Sequence, residues 1–289
     1  MSYYKILIDE KELKSFFDFM IPDDNYLSPT ESLFLSLAAR NKYMKNKEES
    51  DVNLNKTFMF DRTIVHAENR HRLWNNLVME LRKLERNIGA YKAKSKSDNN
   101  ILLDIPNDCF ICYYNVNPID SVAALIGLKN RIALMEQELW NTVTKGKSYE
   151  NCILDVNRLH RLAEIEYSKA KSKTRWFDID IDFEKEDQIN NPYFTDDNNW
   201  IKEICNKFCE KLNIQNNNLY IIRTYGGYHL GLNVKLCEQL KKPAPYLLEQ
   251  LSIIIKESGC QLKELKLNSN GIVPLPGTLQ GGRLTKFIS

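Results

Sequence analysis

Apolar residues recur at three- and four-residue spacing over residues 11–20 (KELKSFFDFM), 30–44 (TESLFLSLAARNKYM) and 66–88 (HAENRHRLWNNLVMELRKLERNI). This spacing predicts three helices, each burying one face. In the third, Leu73, Leu77, Leu81 and Leu84 form the buried stripe. Residues 45–56 are polar and charged and read as an exposed loop, and residues 92–100 (KAKSKSDNN) read as a linker. The expectation is a helical N-terminal accessory region over 1–100, followed by a second unit over 101–289.

Beyond residue 100 the pattern changes. Residues 109–116 (CFICYYNV) form a short aromatic-rich run stopped by Asn117-Pro118, as a strand would be. Helical spacing returns over 120–140 and 155–171. Residues 175–183 (RWFDIDIDF) alternate acidic with apolar side chains, the two-residue period of a strand. A helix is expected over 200–212, strands over 219–224 (LYIIRT) and 228–234 joined by a Tyr225-Gly226-Gly227 turn, a helix over 245–257, and an extended piece over 271–282 (GIVPLPGTLQGG). Strands and helices in this order, with at least one antiparallel hairpin, predict an α+β fold rather than a doubly wound parallel sheet.

Composition narrows the classes. Forty Lys plus Arg against 38 Asp plus Glu leave a formal charge of +2, which excludes nucleic-acid binding by bulk charge and leaves only local placement of cations. Stretches that could supply it are Lys92, Lys94 and Lys96, and Lys169, Lys171, Lys173 and Arg175, each of which by default is a solvated face. No apolar run reaches the ~18 residues of a membrane-spanning helix, and the start lacks the layout of a signal peptide, so a cytoplasmic protein with no membrane partner is expected. Seven scattered Cys fit a reducing compartment. The Cys109/Cys112 and Cys205/Cys209 pairs read as packed small side chains rather than zinc or redox pairs.

The candidate chemistry lies in the second unit. Asp178, Asp180 and Asp182 share one face of their strand at steps of about 6.5–7 Å. Three aligned carboxylates repel one another unless the face is solvated or holds divalent cations, and hard oxygen ligands select Mg²⁺, Mn²⁺ or Ca²⁺. A solvent-facing edge strand gives the same pattern, but Trp176, Phe177, Ile179, Ile181 and Phe183 favour an interior strand. In the hairpin, Arg223, Gly226, Gly227 and His229 suit an anion, the glycines permitting positive φ and close approach of backbone N–H groups.

These pieces, in this order, resemble the archaeo-eukaryotic primase superfamily, in its primase-polymerase branch found in phages and mobile elements. Asp178-Ile179-Asp180 resembles its first motif, two acids around a hydrophobic residue; Gly227-Tyr228-His229 its second, a small residue, any residue and His. Pro274-Leu275-Pro276-Gly277-Thr278 is similar to the region around its third, and Tyr113 to Pro118 to an N-terminal strand. The resemblance implies a primase-like core, a mixed sheet flanked by helices, and template-dependent nucleotidyl transfer in DNA replication. It implies Asp178, Asp180 and His229 as catalytic residues, and Asp178, Asp180 and Asp182 as ligands of Mg²⁺ or Mn²⁺. Arg223, Gly226, Gly227, His229 and Arg283, with Lys286 beside them, would then bind nucleoside triphosphate on a single-stranded DNA template. The host cytoplasm would be the setting if a phage encodes the chain. No G-x-x-x-x-G-K-[ST] loop occurs, so unwinding would need a separate helicase. The family's third motif contributes a further acid, whereas no Asp or Glu follows Glu264. Asn270 stands near that position, with Asp182 as the substitute carboxylate. A catalytically weak binding subunit of the same fold and a metal-dependent nuclease are the alternative functions.

Overall fold

The first helix begins where Asp9 caps it: its carboxylate accepts from the backbone N–H groups of Lys11 and Glu12, both at 3.0 Å, and Leu13, Phe16, Phe17 and Met20 fall on the buried face of α1 (Glu10–Met20). The computed structural model describes residues 4–45, 47–54, 58–145, 163, 165–167, 169–184, 191–268 and 271–288. The helix expected over 155–171 lies largely outside these, as does Asn270.

Residues 30–44 do not form a helix. They form β1 (Glu31–Ala39), buried along its whole length. It lies between β3 (Phe58–Val65) and β6 (Phe110–Asn115), antiparallel to both. The run is apolar almost throughout, so its periodicity cannot separate a helix from a strand covered on both faces; neighbours on both sides decide it. The linker is corrected too. Residues 92–95 form β4 (Lys92–Ser95), between β2 (Val52–Asn53) and β5 (Leu102–Asp104). Ala93 and Ser95 are buried and the lysines point out, a two-residue period obscured by its polar composition. Only α2 (Arg70–Asn87) fulfils the helical reading after α1, with Leu73, Leu77, Leu81 and Leu84 buried. The first hundred residues are therefore mixed, and β1 shares a sheet with β6 from beyond residue 100.

That first sheet is completed by β7 (Ile119–Asp120) beside β1, and by β12 (Ile272–Pro274), β13 (Leu279–Gln280) and β14 (Arg283–Leu284) on the β6 side. Asp120 caps α3 (Ser121–Thr144). A second sheet has the order β11-β8-β10-β9-β15, built from β8 (Trp176–Asp182), β9 (Leu219–Arg223), β10 (Gly227–Asn233), β11 (Glu264–Asn268) and β15 (Lys286–Phe287). All its pairings are antiparallel, as are those of the first sheet among the described residues, so neither is the mixed sheet expected. With α4 (Asn199–Leu212) between β8 and β9, and α5 (Val234–Leu240) and α6 (Ala244–Glu257) between β10 and β11, the β8-to-β11 unit is a β-α-β-β-α-β arrangement of the ferredoxin-like kind. The fold is α+β.

Alternation assigns the two faces of this second sheet. Ile179, Ile181, Leu230, Leu232, Leu219 and Ile221 pack beneath α4 and α6. The opposite face meets the first module: Trp176, Tyr220 and Ile222 join the core that holds Phe16, Tyr114 and Val273. Close packing here requires Gly231, since a Cβ on it would lie 1.8 Å from Cε1 of Tyr220 on the neighbouring strand. Where this interface stops being apolar, a cleft opens between the sheets. Among the described residues no helix is long and apolar enough to cross a membrane.

Candidate active site

Register places three rows of side chains on the cleft-facing side of the second sheet. Asn268, Asp178, Gly231 and Tyr220 form the deep row, Lys266, Asp180, His229 and Ile222 the middle one, and Glu264, Asp182 and Gly227 the outer one. β8 is an interior strand, as its aromatic and Ile residues suggest. Asp178, Asp180 and Asp182 share its face as expected, but they occupy different depths and do different things.

Asp178 is 1% exposed. One carboxylate oxygen accepts from the Tyr220 hydroxyl at 3.0 Å; the other meets His229 Nδ1 at 2.7 Å and Asn268 Nδ2 at 2.8 Å. Both its oxygens already accept hydrogen bonds from the protein, and it lies outside the group of acids whose ligand atoms converge, so the structure does not bring it into the metal-ligating group expected of it. The carboxylates that do converge are Asp180, Asp182 and Glu264, with ligand atoms within 4.8 Å of one another. This cluster can hold a metal ion. Glu264 is not among the ligands expected from the sequence. Its signal was present in the alternation of Glu264, Lys266 and Asn268 with Leu265 and Leu267, which marks a strand, but only the pairing of β11 with β8 sets it opposite Asp182.

His229 joins the two kinds of acid. Its Nδ1 is fixed by Asp178, and its Nε2 lies 3.7 Å from Asp180 Oδ1. Burial pushes its pKa down, but the Asp178 carboxylate and then Asp180 and Asp182 outweigh that, and the net shift is upward from 6.5. Burial raises the Asp180 pKa; His229 opposes that shift, and Asp182 and Asp178 reinforce it. Lys266 partly neutralises the cluster, with its ammonium 2.5 Å from Glu264 Oε2 and 3.8 Å from Asp180 Oδ2. Its pKa is raised, chiefly by the hydrogen bond to Glu264.

The cleft over these groups has a volume of about 480 Å³ and is closed on the opposite wall by Ser36, Arg40 and Tyr113 of the first sheet's region. Arg40 Nη1 donates to the Tyr113 hydroxyl at 3.2 Å, and the guanidinium lies over the Tyr43 ring at 5.7 Å. Its Nε is buried and has no hydrogen-bond partner among the described residues. Gln280 ties the walls together, donating to Tyr43 at 2.6 Å and accepting from the backbone of Tyr225 at the hairpin tip at 2.9 Å. This is the local role of the third sequence region.

The hairpin differs from its expected use. Neither Gly226 nor Gly227 takes a positive φ; Gly227 is required because a Cβ there would lie 1.8 Å from the Ile181 carbonyl oxygen. Arg223 pairs across the ladder with Tyr228 rather than His229, so it emerges on the helix-bearing face, away from the acids. With Arg283 and Lys286 it lines a separate cleft of about 750 Å³, which meets the first only at Thr224. The expected grouping of Arg223 and Arg283 with His229 is thus divided between two cavities. Other candidate cations are engaged: Arg175 forms a buried bidentate pair with Glu31 at 2.9 and 2.6 Å, Lys92 pairs with Asp104, and Lys96 donates to the carbonyls of Lys47 and Ser50. Cys109, Cys112, Cys205 and Cys209 are buried free thiols, and burial pushes Cys109 and Cys112 up to about 11 and about 12.

No family model, curated protein or solved structure matches the chain.

Proposed function

We propose that this protein is a metal-dependent nucleotidyltransferase of the primase or primase-polymerase kind, joining nucleotides on a single-stranded DNA template. The observation that carries the reading is the convergence of Asp180, Asp182 and Glu264 beside a braced His229, in a cleft between two sheets. The short motifs around Asp178-Ile179-Asp180 and Gly227-Tyr228-His229 support it from the sequence.

Three hard oxygen donors suit Mg²⁺ or Mn²⁺, held by Asp180, Asp182 and Glu264. The cation would neutralise phosphate charge and lower the pKa of an attacking hydroxyl. The protein's own groups do the rest. Asp178 orients the His229 ring and favours its protonated form, so that Nε2 can donate to a phosphate oxygen of a nucleoside triphosphate. Arg40 lines the facing wall, and its guanidinium is of the kind that grips phosphate oxygens. The test is primer or dinucleotide synthesis from ribo- and deoxynucleoside triphosphates on a single-stranded template with Mg²⁺ or Mn²⁺. Asp180→Asn and Glu264→Gln are each expected to reduce synthesis at least ~100-fold, in the range by which removal of a key electrostatic group slows catalysis. Undiminished synthesis by either variant, or none by the wild type, overturns the reading.

A second reading, a catalytically weak nucleic-acid- or nucleotide-binding subunit, draws on Lys266 and Asp178. An ammonium already sits among the acids, and the carboxylate expected to bind metal is bound internally. Mn²⁺ binding that is absent by calorimetry, with polynucleotide binding intact, would favour it. Strand cleavage without nucleotides would instead mark a metal-dependent nuclease.

A further inference from the structure

The second cleft, at the other side of the hairpin tip, gathers three cations at an element junction. Lys286 of β15 stands directly opposite Arg223 of β9 in the ladder, and Arg283 comes from β14 of the first sheet. Two of the three lie over aromatic rings. The Arg223 guanidinium lies 4.6 Å from the centre of Phe194, and that of Arg283 lies 5.0 Å from the centre of Tyr225. A guanidinium over a ring face keeps N–H groups on its edge for donation, the form in which Arg grips phosphate.

The carboxylate that answers them is unusual. Arg223, with only 13% of its side chain exposed, donates to Asp196 Oδ1 at 2.8 Å, and Asp196 is 96% exposed. A residue so open to water makes no core contacts that require it there. The hydrogen bond to Arg223, the charge of Arg223, and then the charges of Lys286 and Arg283 lower its pKa, so the carboxylate stands in the field of all three cations. It occupies the place of an anion beside the three cations.

We propose that this cleft binds a phosphodiester of the polynucleotide strand, and that Asp196 is a built-in stand-in for that phosphate which the strand displaces. The inference rests on reading the chain as one that acts on nucleic acid. A strand is preferred to a free triphosphate because the cleft is the larger and more open of the two, lies on the opposite face of the sheet from the acid cluster, and meets it only at Thr224. A chain of phosphates can pass around the hairpin tip, where the two clefts meet, and serve both.

The experiment is fluorescence anisotropy with a labelled single-stranded oligodeoxynucleotide of about 20 nucleotides, in EDTA, as a function of salt. Each phosphate contact to a single strand contributes about 0.7 to the slope of log K against log salt. Arg283→Gln/Lys286→Gln is expected to weaken binding at least ~10-fold at low salt and to lower that slope by about 1.4. Arg283→Lys/Lys286→Arg, which keeps both charges, is expected to retain most of the slope. Asp196→Asn is expected to tighten binding several-fold, because the competing anion is gone. An unchanged slope in the charge-removing variant overturns the inference, as does unchanged or weakened binding by Asp196→Asn. Loss of ATP binding with oligonucleotide binding intact also overturns it, placing a free triphosphate in this cleft. Because EDTA removes metal and no turnover is measured, the result stands apart from the success or failure of the nucleotidyltransferase reading.

Discussion

Asp178 and Asp180 are two positions apart on one strand and point the same way, yet one is an internal hydrogen-bond acceptor and the other faces a cleft. Depth makes the difference: at the inner row the carboxylate meets Tyr220, His229 and Asn268, and at the middle row it meets the cleft. Asp178→Asn should therefore act through His229. Removing the charge that most strongly favours the imidazolium is expected to lower the His229 pKa, read by NMR titration, while Mn²⁺ binding at Asp180, Asp182 and Glu264 is retained. The sign of the wild-type shift is upward. The proton on His229 thus adds stability fully below the ordinary imidazole value of 6.5, and that contribution fades as pH rises through the higher folded value. A raised value that survives Asp178→Asn would show that the outer acids, not Asp178, set it.

At the scale of elements, the acid strand, the hairpin and most helices were legible because each has its own period: two for β8, about 3.6 for α1, α2, α4 and α6. The misreadings share one cause. β1 is apolar on both faces and β4 is polar in composition, so in neither did a simple stripe report the state. β11 was missed although it alternates, since its meaning depends on the strand beside it. The glycines of β10 carry information of a different kind. Gly231 is needed not for its backbone angle but for the Tyr220 ring that lies across it. Gly231→Ala is expected to destabilise the protein by ~1–3 kcal/mol or more, the usual cost of forcing an added carbon into a packed core. Denaturant unfolding would measure it, and a change below ~0.5 kcal/mol would show that the ring has room to turn.

For the whole molecule, the junction between the first module and the second sheet matters most, because the candidate site lies in the cleft between them. One tie is the buried pair of Glu31, on β1, with Arg175, just before β8; Ser172 and the backbone of Ser28 also donate to Glu31. Burial would raise the Glu31 pKa, but the hydrogen bonds from Arg175, Ser172 and Ser28 and the charge of Arg175 prevail and lower it. Its contribution to stability is accordingly complete above the ordinary carboxylate value of 4.5 and is lost as pH falls through the lower folded value. Glu31→Gln is expected to lower stability at pH 7 and to flatten its fall between about pH 5 and 2, measured by thermal unfolding across pH; an acid limb identical to wild type would show the pair to be dispensable. The sequence by itself determined the mixed class, the acid-bearing strand with its three carboxylates on one face, and the hairpin that carries His229, because local periodicity and turn chemistry specify strands and their faces. Only the tertiary structure decided which acids share a site, since that depends on depth in the interface and on β11 arriving from some 80 residues away. It alone also decided that Arg223 serves the other cleft, because a single step of register along a strand turns a side chain to the opposite face.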